Sequence, residues 1–144
     1  MRNVCVFSKG RPQIAGLLVA FIFALGIASN AGAQTVKLEQ KTVINDSYSF
    51  KAEFSKKPKM GESILKVTLW DKDGKQVTDL ELIGSYDMNS MAGQHSMAPK
   101  TVLTSKQGYY LFPVNFTMKG KWEITLVFKQ ADKELYTATI QVSI

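Results

Sequence analysis

From Tyr48 onward, apolar and polar side chains alternate with a period of two, which confines most of this chain to half-buried β-strands. Tyr48, Phe50, Ala52 and Phe54 alternate with Ser49, Lys51 and Glu53, and Leu65, Val67 and Leu69 with Lys66 and Thr68. Val77 to Ile83 reads as a short strand after the turn Asp71-Lys72-Asp73-Gly74-Lys75. Tyr110, Phe112, Val114 and Phe116 mark another strand, then Trp122 to Phe128, then Tyr136 to Ile144. Thr35 to Lys41 and Thr101 to Ser105 complete the set, and no stretch shows a helical period. Turns fall at the short intervals of an all-β fold. The expectation is a single immunoglobulin-like antiparallel β-sandwich of about seven strands, spanning 34–144.

The residues before it read as an address label, with 1–33 as a signal peptide. Arg2, Lys9 and Arg11 form a basic region, and Ile14 to Ile27 is an uncharged apolar run. Ala31-Gly32-Ala33 offers small side chains for cleavage before Gln34. The apolar run falls short of the ~20 residues that span a bilayer, which favours cleavage over a retained anchor. The only cysteine, Cys5, would leave with the peptide. The mature protein is therefore expected to be periplasmic or secreted and without a thiol. That excludes thiol enzymes, CxxC redox proteins and cysteine zinc sites. Its charges are 15 lysines against 12 acids, with no arginine. Lacking the guanidinium forks that read phosphates and guanine edges, it is not expected to bind nucleic acid.

The strand alternation stops between Gly84 and Lys100, in GSYDMNSMAGQHSMAPK. This segment carries Met88, Met91 and Met97 together with His95, the single histidine of the chain. Thioethers are soft donors that favour Cu(I), and an imidazole suits the same ion. Calcium or magnesium would need more carboxylates than Asp87, and zinc more than one histidine. Copper(I) is thus the candidate cargo, with Met88, Met91, His95 and Met97 as metal ligands. The plainer alternative is that the methionines act as flexible filler over an open end of the sandwich.

If each strand crosses the sandwich once, successive connections alternate between its ends. Loops 55–62, 84–100 and 117–121 then share one end, bringing Met60 and Met118 beside the Met/His loop. The same end would gather Lys56, Lys57, Lys59, Lys100, Lys119 and Lys121. A lysine rim cannot help to hold a cation, but it could guide contact with an acidic partner or a peripheral membrane surface.

The succession of Lys66-Val67-Thr68-Leu69, the Asp71 to Val77 turn, the Met/His loop, Gly108-Tyr109-Tyr110 and Phe116 to Ile124 (FTMKGKWEI) resembles the YtkA-like/FixH-like domain family. The resemblance covers most of residues 47–144 and implies an extracytoplasmic β-sandwich. The loop is also similar to the M-x2-M…H-x-M copper(I) stretch of CopC-type periplasmic copper carriers. Such kinship implies copper handling or a part in assembling a copper-containing respiratory oxidase, with a copper-receiving or membrane-complex protein as partner. It assigns ligand roles to Met88, Met91, His95 and Met97, and a packing role to Met118. Gln34, at the expected mature start, departs from the N-terminal histidine with which CopC-type carriers hold Cu(II).

No catalytic residues are expected. A Ser–His–Asp arrangement would have to draw His95 and Ser90 or Ser96 from one loop, with no G-x-S-x-G elbow. Asp79 and Glu81 read as solvent-facing rather than as a carboxylate pair. Two functions remain: a copper(I) buffer or carrier, and a metal-free accessory module for a membrane complex.

Overall fold

The computed structural model describes residues 32–89 and 99–144. The expected signal peptide lies almost wholly outside these residues, as do Met91, His95 and Met97. Among the described residues, no helix is long and apolar enough to cross a membrane.

The chain forms an all-β sandwich of two sheets. In chain order the strands are β1 (Gln34–Val36), β2 (Thr42–Asn45), β3 (Tyr48–Phe54), β4 (Gly61–Asp71), β5 (Gln76–Val77) and β6 (Glu81–Met88). They continue with β7 (Lys100–Thr101), β8 (Leu103–Thr104), β9 (Tyr110–Phe116), β10 (Lys121–Gln130) and β11 (Lys133–Ser143). The first sheet runs β1-β11-β10-β6-β7, and the second β2-β3-β4-β9-β8, with β5 paired to β4. Neighbours are antiparallel except for β1, which pairs parallel with β11.

The apolar member of each alternating pair faces inward. From β10, Trp122, Ile124, Leu126 and Phe128 are all buried, and from β9 so are Tyr110, Phe112, Val114 and Phe116. Rings from the two sheets meet in the middle. Phe50 packs on Phe128 with centroids 4.6 Å apart, Phe116 on Trp122 at 5.5 Å, and Tyr86 on Phe112 at 6.0 Å. Offset and edge contacts of this kind add to the stabilisation from area burial.

Three expectations need correction. The segment read as one strand from Val77 to Ile83 is two elements, and the second, β6, runs on through Gly84 to Met88. Its inward positions Leu82, Gly84, Tyr86 and Met88 keep the period of two, but Gly84 has no side chain to reveal it. Residues 101–105 are likewise not one strand. The chain changes sheets at buried Val102, whose N–H donates to the Leu82 carbonyl at 2.8 Å, so β7 joins one sheet and β8 the other. Finally, the expected first strand closes at Val36, and Thr42–Asn45 forms a separate one.

A buried phenol ties the sandwich to the β5–β6 connection. The Tyr110 hydroxyl donates to the Leu80 carbonyl at 2.7 Å, and burial pushes its pKa up to about 12. In the unfolded chain the phenol titrates near ~10. Above that pH the unfolded state loses a proton that the folded state keeps, so stability is full below about pH 10 and falls as pH rises toward 12. Urea unfolding at pH 8 and pH 11 should show a loss of roughly 1–2 kcal/mol from this group. Tyr110→Phe should lose that much less over the same interval, at the cost of about 1 kcal/mol at neutral pH for the missing hydrogen bond. Parallel pH dependences for the two proteins would contradict the assignment.

Candidate metal-binding end of the sandwich

The strand register brings one set of strand ends together. Gly61 at the start of β4 pairs with Phe116 at the end of β9, Trp122 at the start of β10 with Met88 at the end of β6, and Lys121 with Ser143. The opposite end carries the Asp71 turn, where Asp71 Oδ1 accepts the N–H groups of Asp73 and Lys75, both at 2.9 Å. It also carries the 105–109 turn, linked to β5 because Gln76 Nε2 donates to the Gly108 carbonyl at 2.7 Å. Asp79, exposed as expected, has a structural task there: it accepts the Tyr48 hydroxyl at 2.8 Å, which raises the Tyr48 pKa.

Met60, Met88 and Met118 all lie at the first end, as the crossing rule predicts. Met60 immediately precedes β4 and is 49% exposed. Met118 is half-buried against the core in the β9–β10 turn. Met88, the one candidate ligand within the described residues, is an inward-facing strand residue and only 7% exposed. Its position is fixed from two sides. Its N–H donates to Asp87 Oδ1 at 2.7 Å, and its thioether lies over Gly120. A Cβ at Gly120 would fall 2.3 Å from Met88 Cε, and Gly120 has φ +149°. A side chain there would collide with the methionine and strain the backbone. The backbone of Gly120 also exchanges two hydrogen bonds with Ile144, at 3.0 and 3.2 Å.

Trp122 joins these parts. Its indole is buried against Tyr86 and Phe116, and Nε1–H donates to the Met118 carbonyl at 3.1 Å. This scaffold of Gly120 and Trp122 did not emerge from sequence reading as part of the site; the M-x-G-x-W spacing in 118–122 was its only trace. On the outer side, Asp87, Asn89 and Glu123 line an open cleft of about 240 Å³ that reaches Met88. Asp87 and Glu123 are direct cross-strand neighbours. Among the described residues no three His, Cys, Asp or Glu side chains are grouped to hold a metal ion. A second cleft, of about 220 Å³, opens at the same end and is lined by Lys56, Lys57 and Lys59 with Ser55, Ser63 and Glu62. Lys100 stands further down the sheet, paired with Gly84.

Among solved structures, the chain is similar to a copper-bound variant of FetP from uropathogenic Escherichia coli, at 10% identity and a TM-score of 0.47. That match covers 72% of this chain and 93% of the other. As-isolated FetP from the same source matches at 12% identity and a TM-score of 0.44, covering 72% of this chain and 89% of its own. No curated protein matches the chain. The YtkA-like family model matches residues 32–127, which take in β1 to β9, most of β10 and every methionine after Gln34, and the chain belongs to the YtkA-like family.

Proposed function

We propose that the protein is a periplasmic copper(I)-binding protein that buffers or delivers the ion through its Met/His loop. The observation that carries this reading is the gathering of Met60, Met88 and Met118 at the end where β6 leads into the segment holding Met91, His95 and Met97. Uncharged thioethers hold Cu(I) without competition from protons and release it readily, so a carrier built on them works by ligand exchange rather than catalysis. In this reading Met91, His95 and Met97 are the exchangeable donors. Met88, held by the sandwich, is the donor nearest the fold. Transfer to a copper-receiving protein, an assembling respiratory oxidase among the possible recipients, would proceed as the two sites meet.

Anaerobic competition with a chromogenic Cu(I) chelator tests this. The wild type should take up one equivalent, and the triple variant Met91→Ala/His95→Ala/Met97→Ala should bind at least about a hundredfold more weakly, since three groups that would touch the ion are lost. Met88→Leu keeps the core filled and isolates the contribution of the fourth sulfur. Unchanged affinity in the triple variant would sink the proposal. The lysine-lined cleft favours a second reading, a metal-free accessory module for a membrane complex. That reading expects partner capture to be indifferent to copper and to His95→Ala.

A further inference from the structure

The methionine-bearing end is divided by charge. On the half formed by the first sheet, Asp87 and Glu123 stand opposite each other on β6 and β10. On the other half, the β3–β4 loop presents Lys56, Lys57 and Lys59, all exposed, around a cleft in which Glu62 is the one acid of the lining. The adjoining β9–β10 turn adds exposed Lys119, whereas exposed Lys121, at the start of β10, belongs to the first sheet and stands two residues from Glu123. In the same loop, directly after Lys59, Met60 holds 49% of its surface in solvent, one of few large apolar side chains so exposed among the described residues. The loop has a set shape. Ser55 N–H donates to the Ile64 carbonyl at 3.0 Å, and Gly61 turns the chain into β4 at φ +91°.

We propose that this lysine-rich loop docks the protein peripherally on an anionic lipid bilayer, with Lys56, Lys57 and Lys59 at the headgroups and Met60 as the apolar contact. Lysines without arginines are hydrated point charges. They suit the diffuse negative charge of a headgroup layer better than the fixed carboxylate geometry of a protein surface. The cleft between them is open and lined also by Ser55 and Ser63, the Ser63 hydroxyl donating to the Lys59 carbonyl, so a lipid phosphate meets chiefly the lysine charge there. An exposed thioether in a basic loop supplies the apolar contact that electrostatics alone lacks. None of this surface's residues belongs to the proposed donor set Met88, Met91, His95 and Met97. It would hold the copper-binding end toward the membrane whether or not copper is bound.

Co-sedimentation with phosphatidylglycerol/phosphatidylcholine vesicles tests the proposal. The protein should bind these vesicles in a salt-sensitive way and ignore pure phosphatidylcholine. Lys56→Glu/Lys57→Glu/Lys59→Glu should lower the partition coefficient at least about tenfold. Lys72→Glu/Lys75→Glu/Lys106→Glu makes the same change in net charge at the opposite end and should lower it by no more than about twofold. All six lysines are exposed, so the variants are expected to melt with the wild type. Met60→Ser should weaken binding about threefold; no change would overturn the apolar half of the proposal. Equal losses from the two triple variants would overturn the docking site. So would an absence of vesicle binding together with salt-sensitive binding to a glutamate-rich peptide. Running copper-free and copper-loaded protein side by side keeps a failure here distinct from a failure of copper binding.

Discussion

Gly84→Ala is expected to destabilise the protein by about 3 kcal/mol, at the upper end of ordinary overpacking costs. The reason is the facing ring of Phe112. A Cβ on Gly84 would lie 2.6, 2.7 and 2.8 Å from three of its atoms, and Phe112 is itself 1% exposed with no room to retreat. Tyr86 packs edge-on against the same ring at 6.0 Å, closing another side. For a domain of this size the melting temperature should drop by roughly 10–20 °C. Phe112→Leu alone should cost about 1–2 kcal/mol, from lost burial and the cavity left behind. Combined, the two should cost less than their sum by about 1–2 kcal/mol, because the smaller side chain makes room for the methyl. Additive losses in denaturant titrations would show that the collision is relieved elsewhere.

Trp122→Ala should cost about 3–5 kcal/mol. The indole is 1% exposed, sits between Tyr86 and Phe116, and is in register with Met88. Trp122→Phe keeps a ring in the core but leaves the Met118 carbonyl without its donor, at about 1–2 kcal/mol. The effect reaches the methionine-bearing end. Loss of the Nε1–H to Met118 bond frees the 117–120 turn, which holds Gly120 against the thioether of Met88. Methyl resonances of Met88 and Met118 should therefore shift in both variants, while that of Met60, across the end on the β3–β4 loop, should shift least. Unmoved Met118 and Met88 resonances in Trp122→Phe would show that the indole fills space without holding the turn.

The strongest strands were legible because their alternation is uninterrupted. Tyr110, Phe112, Val114 and Phe116 on one strand and Trp122, Ile124, Leu126 and Phe128 on the other all face inward, and a slip of one residue would turn them to solvent. Where alternation was masked, reading failed. Gly84 removed one inward side chain from β6, and the Asp and Met that follow did not look like strand residues, so Gly84 to Met88 read as loop. Residues 101–105 misled for a different reason. Their inward residue Val102 serves as the crossing point between sheets, because Lys100 and Thr101 pair with β6 whereas Leu103 and Thr104 pair with β9. The two-residue turn after β10 also gave no signal. Ala131 and Asp132 both adopt positive φ, 48° and 64°, without the glycine or asparagine that usually marks such a turn.

The candidate site divides in the same way. Its chemistry belongs to the sequence: soft thioethers and one imidazole within Met88 to Met97, no cysteine after Cys5, and lysine without arginine after Arg11. These are properties of side chains and hold in any fold. The placement belongs to the tertiary structure. Only strand register puts Met60 and Met118 at the same end as Met88, and only the inward phase of β6 buries Met88 against Gly120 while Met60 stays exposed. An all-β sandwich and a soft-donor segment are legible in the chain alone, because alternation and donor type are local. Which methionine packs, which faces solvent and where the lysines gather follow only from the folded arrangement, because burial and proximity depend on residues distant in the chain.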